Sequence, residues 1–451
     1  MLIIIPLKCV YCIAMKKMSI SFILLIAGFL SCFAQGKFGY NEQIDLKIDR
    51  FDGRYAAGET VRVNAVFDPA FTGPVDIKIT ENGKTAESRT LPAKDGVVFE
   101  KSYDAPTLVF VQVGPQGDSK NVTTIGFIVD AEHFEPGFER PKDIDKFWKK
   151  QIKALRKVPM KAEVKEVPVP GKDGEAYECF DLKINSIDET PCIGYVVKPK
   201  GAAPKSLPIV IYAHGAGVAK PGSRSNIRTA LSYAKRGGGA IALDLNALGM
   251  KNAQPQAYYD SLDRGPLYRY SARPIESHET FMFRTMFLRM VRALDYLTKD
   301  PAWDGERVLL YGSSQGGAQA AALAGLDPRV GAAVLVVPAM MDMGGELAGH
   351  NRAWLFTMGK QDSKEALEVA PYYDTANLIP NFKGRLWVEC GLIDKTCPAA
   401  NVFSGYNKAG CDKQIYTYPY RPHGEPQGRY RDGWLERIKS SRDAFIDDYL
   451  K

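Results

Sequence analysis

Leu309-Leu310-Tyr311-Gly312-Ser313-Ser314-Gln315-Gly316-Gly317-Ala318 is the stretch from which the fold of this chain is read. An apolar run ends in Gly-x-Ser-x-Gly and passes into small, helix-forming residues through Gly325. A strand, a sharp turn and a helix in that succession lift one serine hydroxyl clear of the end of a sheet. Gly312 and Gly316 stand where a side chain would collide inside such a turn, so Ser314 between them is held in strained backbone geometry. The five-residue pattern alone is common. The flanking strand and helix give it weight.

Outward from that turn, strand-like and helical runs alternate from Glu175 onward. Strands are expected over 177–184, 193–197, 209–213, 240–245, 307–311, 332–337, 385–390 and 414–418, and helices over 227–236, 279–298, 316–324 and 433–450. Such alternation predicts an α/β unit over 166–451, a mainly parallel sheet covered on both faces. Upstream the period changes to two. Ile44-Asp45-Leu46-Lys47-Ile48 and Val75-Asp76-Ile77-Lys78-Ile79 alternate, short apolar runs follow at 97–99, 108–113 and 125–129, and Asp52-Gly53, Asn82-Gly83 and Asp95-Gly96 punctuate them. Six or seven short strands at this spacing predict an all-β, immunoglobulin-like sandwich over 36–130, a spacer or packing unit ahead of a carbohydrate binder. Between the two, 131–165 reads as a linker and a packing helix, with Ile144, Phe147, Trp148, Ile152 and Leu155 at helical spacing.

The 451 residues leave room for two or three domains, and the net charge of +7 is spread without a Lys/Arg block, which excludes a nucleic-acid partner. Met15-Lys16-Lys17, the apolar run 20–30 and Ser31-Cys32-Phe33-Ala34 form a secretory signal with cleavage expected after Ala34. Met15 competes with Met1 as the start, and a lipid anchor at Cys32 is the alternative to cleavage. The apolar run is too short for a membrane span, so export to the periplasm, the medium or the cell surface is expected. The remaining cysteines, Cys179, Cys192, Cys390, Cys397 and Cys411, are odd in number and lack metal-site spacing. A core this large does not need one or two disulfides to hold it.

A serine hydroxyl needs a base, a carboxylate to orient that base, and donors for the oxyanion. Behind a turn of this kind the order is serine, acid, histidine. The chain has five histidines, and only His350 and His423 follow Ser314. His423 follows the last strand and is read as the base. Asp394 ends the segment after strand 385–390 and is read as the acid; Asp374 is second choice, with no strand before it. The oxyanion donors are the backbone N–H of Gln315 and that of Ala216 or Gly215, in the loop after strand 209–213, which His214 shapes. This chemistry calls for no metal and no organic cofactor.

Together these pieces resemble the acetyl xylan esterase and cephalosporin C deacetylase family of α/β-hydrolases, over roughly residues 138–450. The likeness runs through the helix with Phe147-Trp148, His214-Gly215, Gly312-Ser313-Ser314-Gln315-Gly316-Gly317 and Leu326-Asp327-Pro328-Arg329-Val330. It continues in Gly391-Leu392-Ile393-Asp394-Lys395-Thr396-Cys397-Pro398 and Tyr418-Pro419-Tyr420 with His423. It implies Ser314 as nucleophile, Asp394 as acid, His423 as base, Gln315 and Ala216 as oxyanion donors, an acetylated saccharide as substrate, and a ring-like homo-oligomer. Three departures bear on substrate preference and assembly. Asn246-Ala247-Leu248-Gly249 keeps only the last residue of the family's Arg-Gly-Gln-Gly, Ala216 replaces a tyrosine, and Gly424 replaces a glutamate. A hydrolase for bulkier esters or for peptides, of the prolyl oligopeptidase type, is the first alternative. An inactive carbohydrate-binding surface protein is the second.

Overall fold

The computed structural model describes residues 39–359 and 361–451. The expected signal segment, with Cys9, Cys12 and Cys32, lies outside them. Among the described residues no helix is long and apolar enough to cross a membrane, and Cys179, Cys192, Cys390, Cys397 and Cys411 are unpaired.

The N-terminal region is all β: β1 (Ile44–Lys47), β2 (Arg54–Tyr55), β3 (Thr60–Phe67), β4 (Pro74–Glu81), β5 (Lys84–Pro92), β6 (Gly96–Ser102), β7 (Thr107–Pro115) and β8 (Thr123–Val129). They form a three-stranded sheet, β1-β3-β6, and a five-stranded sheet, β2-β8-β7-β4-β5. Alternate residues of both sheets, among them Leu46, Val61, Val63, Ile77, Val111 and Phe127, close one core between them. Two of the strands carry no sequence pattern. β2 has two residues. β5 is an exposed polar edge strand, formed only because Asn82 (φ 46°) and Gly83 (φ 81°) turn the chain back along β4.

The other region is a nine-stranded sheet of β9 (Glu163–Val167), β10 (Tyr177–Ile184), β11 (Cys192–Pro199), β12 (Leu207–Ala213), β13 (Ile241–Asn246), β14 (Trp303–Ser313), β15 (Ala332–Val336), β16 (Arg385–Gly391) and β17 (Asp412–Tyr418). The order is β17-β16-β15-β14-β12-β13-β11-β10-β9. β12 to β17 pair in parallel, while β9, β10 and β11 are antiparallel to their neighbours. The sheet is therefore mixed: β12 to β17 form its parallel part, and the consecutive strands β9, β10 and β11, joined antiparallel to β13, form its other edge.

Around it lie α1 (Ile144–Lys157), α2 (Ile227–Ala234), α3 (Gln256–Arg264), α4 (Met282–Leu297), α5 (Gln315–Leu326), α6 (Lys364–Val369), α7 (Ala399–Lys408), α8 (Arg431–Trp434) and α9 (Ser440–Leu450). The helix expected over 433–450 is interrupted by a π-helical turn, Leu435–Lys439. β9, α3, α6 and α7 were not anticipated. β9 is an exposed edge strand, and the other three are short.

The two regions interlock. β7 and β8 are buried on both faces because Leu108, Phe110 and Ile128 turn outward into the core of the larger region. Gly126 of β8 donates its N–H to Pro419 O (2.9 Å), and a Cβ there would lie 1.9 Å from Leu392 O. Thr417 Oγ1 donates to Asp52 O, and Tyr420 OH to Leu46 O. The all-β unit thus packs on the segments that follow β16 and β17, and a free spacer would not.

Candidate active site

β14, β16 and β17 are parallel neighbours or near neighbours, so their C-terminal ends open on one side of the sheet, where reactive groups gather in open α/β sheets. β14 ends at Ser313, and α5 starts at Gln315. Ser314 between them has φ 56° and ψ −122°. The turn closes only with glycine on both sides: a Cβ on Gly312 would lie 2.0 Å from Gly316 O, and one on Gly316 2.0 Å from Ala213 O. Ser314 N–H donates to Val336 O (2.9 Å), and its carbonyl accepts from Ala339 N–H (3.0 Å), which ties the turn to β15.

Asp394 follows β16 and is fully buried. Its Oδ1 accepts from the N–H of Thr396 (2.7 Å) and Cys397 (2.9 Å). Its Oδ2 is 2.8 Å from His423 Nδ1. His423 follows β17, and its Nε2 is 2.9 Å from Ser314 Oγ. A carboxylate only accepts, so Nδ1 donates to Asp394 and leaves Nε2 to accept the serine proton. Burial pulls the imidazole's pKa down, but the charge and hydrogen bond of Asp394 raise it more, to above its ordinary 6.5. The three side chains expected to work together are in one hydrogen-bonded line.

The backbone N–H of Gln315 is at the first helical position of α5, where no carbonyl of the helix can accept it. Gly215 passes over Ser314, its Cβ position 3.7 Å from Ser314 Cβ, and puts the exposed Ala216 at the mouth of the site. His214 shapes this turn. Its Nδ1 contacts Gly222 O (3.0 Å) and its Nε2 contacts Asp244 Oδ1, so neither nitrogen is left for Ser314. Burial pushes the Asp244 carboxyl up, against the hydrogen bonds from His214 and Asn226.

The remaining candidates lie elsewhere. His350 is buried against Asp342 (3.2 Å) and Glu135 O (3.1 Å). Asp374, raised well above the ordinary carboxyl range by burial and by Asp342, accepts from the N–H of Met343 and Ala376. Asn246, the last residue of β13, is buried and donates to Met250 O (2.9 Å) and Asn252 Oδ1 (2.6 Å) in the loop that follows. Arg289 of α4 braces the same loop through Ala247 O (2.7 Å), and Gly424 is exposed with open space around it.

Two more residues border the site, Tyr270 outside any motif and Cys397 within the Asp394 stretch. Tyr270, from an irregular segment between α3 and α4, sends its hydroxyl to Gln315 Oε1. Cys397 is buried, and with Asp394 and His423 it forms the one group of His, Cys or acidic ligand atoms within 4.8 Å of one another among the described residues. Both nitrogens of His423 are already engaged there, so the group is a relay before it is a cation site.

The family model for Acetyl xylan esterase (AXE1) matches residues 129–436. The chain belongs to the acetyl xylan esterase family. The acetyl esterase Axe7A of Xylanibacter ruminicola is 28% identical over 390 residues, 82% of this chain and 84% of its own. An acetyl xylan esterase from Paenibacillus sp. R4 superimposes with a TM-score of 0.57 at 25% identity, over 71% of this chain and 98% of that one. Acetyl xylan esterase 1 from Thermoanaerobacterium sp. JW/SL YS485 does so at 0.54 and 21%, with the same coverage. These neighbours share the α/β-hydrolase fold. The family match begins at residue 129, so the all-β unit lies before it.

Proposed function

We propose that this chain is an exported serine esterase that removes acetyl groups from xylan-type oligo- or polysaccharides, with Ser314, His423 and Asp394 as its triad. The observation that carries the reading is the line Ser314 Oγ, His423 Nε2 (2.9 Å), His423 Nδ1, Asp394 Oδ2 (2.8 Å), at the head of a strained turn. Ser314 Oγ attacks the ester carbonyl while His423 Nε2 takes its proton, and Asp394 stabilises the imidazolium. The oxyanion accepts the N–H groups of Gln315 and Ala216. His423 returns the proton to the departing sugar oxygen. Water then attacks the acyl-enzyme with His423 again as base, and acetate leaves. Every step uses groups of the chain itself.

Export is part of the same reading, supported by the basic start and short apolar run at 15–34, and the all-β unit is read as immunoglobulin-like in architecture. A panel of p-nitrophenyl esters of increasing acyl length, beside an aminoacyl p-nitroanilide, tests the substrate class. Acetate is expected to be the best acyl group and the anilide inert. Preference for long chains or for the amide would overturn the acetyl reading and favour the peptidase-like alternative.

A further inference from the structure

The two loops that supply the oxyanion donors are joined by a phenol that the steps above do not use. Tyr270 is buried, and its hydroxyl lies between them. The oxygen accepts the N–H of Gly217 at 3.1 Å, and the hydroxyl donates to Gln315 Oε1 at 2.6 Å. Gly217 is the neighbour of Ala216, and Gln315 carries the other donor on its own backbone. One oxygen therefore spans both sides of the oxyanion hole.

The link has little competition. Gln315 is fully buried and its Nε2 has no partner among the described residues, so Tyr270 alone orients the side-chain amide. On the other side Gly217 has φ 150°, and a Cβ there would lie 2.2 Å from Ser223 Oγ, which leaves that turn no slack to rearrange. Tyr270 lines a cavity of about 240 Å³ together with Leu248, Leu267 and Phe281.

We propose that Tyr270 is a positioning residue of the oxyanion hole: its hydroxyl fixes the separation of the Ala216 and Gln315 N–H groups. The proposal rests on the serine esterase reading. Oxyanion donors act only when they meet the developing charge at hydrogen-bond distance, and a shift of about 1 Å in such a site costs on the order of a hundredfold in rate. The hydroxyl of Tyr270 bonds to Gly217 and Gln315 and not to Ser314. It acts through Gly217 and Gln315.

Tyr270→Phe keeps the ring and removes the link. On p-nitrophenyl acetate, kcat is expected to fall about 10- to 100-fold with KM within about twofold of wild type. The inhibition constant of an arylboronic acid, whose tetrahedral serine adduct places an oxygen in the hole, is expected to rise by a similar factor. Gln315→Met breaks the link from the other side and gives a second reading should Tyr270→Phe fail to fold. The double variant should be no slower than the slower single one. A folded Tyr270→Phe with wild-type kcat, or one whose boronate affinity is unchanged, would overturn the proposal. Ser314→Ala run in parallel separates the two levels: if it keeps its activity the esterase reading itself falls, whereas if it is dead and Tyr270→Phe is unaffected only the positioning role falls.

Discussion

Ser314 sits at φ 56°, ψ −122°, a region that costs a non-glycine residue about 1–3 kcal/mol and that glycine enters freely. The strain places the hydroxyl in front of His423, and it should be recoverable. Ser314→Gly is expected to abolish hydrolysis and raise unfolding stability by about 1 kcal/mol, read in urea or by calorimetry. His423 sets the pH profile. Only the neutral imidazole accepts the serine proton, and its pKa lies above the ordinary 6.5 because the Asp394 charge outweighs burial, so the acid limb of kcat/KM should have its midpoint above 6.5. Asp394→Asn removes the raising cause and leaves burial, so the limb should move to lower pH while kcat falls about 10⁴-fold. The same shift acts on stability. The folded state holds the proton more tightly, so this contribution is fully present below about pH 6.5 and is lost as pH rises through the folded value. Ser314, Asp394 and His423 were legible because each follows an expected strand, although the one before His423 is half polar. Tyr270 was not, since it lies in an irregular segment and its partners are 53 and 45 positions away.

At the scale of elements, the loops that carry Asp394 and His423 are anchored to one buried carboxylate. Glu389 of β16 is fully buried and faces Arg421 (2.9 Å), two residues before His423, and Arg442 of α9 (3.4 Å); Trp434 Nε1 donates to it as well. Replacing Glu389 by leucine leaves two buried guanidinium groups without their anion, and a loss of about 3–5 kcal/mol is expected in chemical denaturation. Hydrolysis should fall with it as the His423 loop loosens. The parallel strands β12 to β16 were legible from apolar runs, and α4 and α5 from their helical stretches. β5 and β9 were not, because an exposed edge strand needs no apolar face and is defined by the neighbour it pairs with. α7 begins after Pro398 and is buried nearly all round, so it carries no amphipathic stripe to read.

In the whole molecule the all-β unit is a structural partner of the site. It touches Leu392 and Ile393 ahead of Asp394 and Pro419 and Tyr420 ahead of His423. Gly126→Ala would drive a methyl group into Leu392 O. It is expected to reduce kcat and melting temperature together, although Gly126 belongs to β8 and carries no chemistry. The sequence shows two regions of different period. It does not show that one clamps the other, because the contact is a glycine backbone against a loop carbonyl and leaves no pattern. We propose that Ser314 turns this fold into an acetyl esterase. The most direct test is acetate release from acetylated xylo-oligosaccharides by the wild type and by Ser314→Ala. Release by the wild type and a loss of about 10⁴-fold or more in the variant are expected; no acetate from folded wild type, or equal release from both, would contradict it.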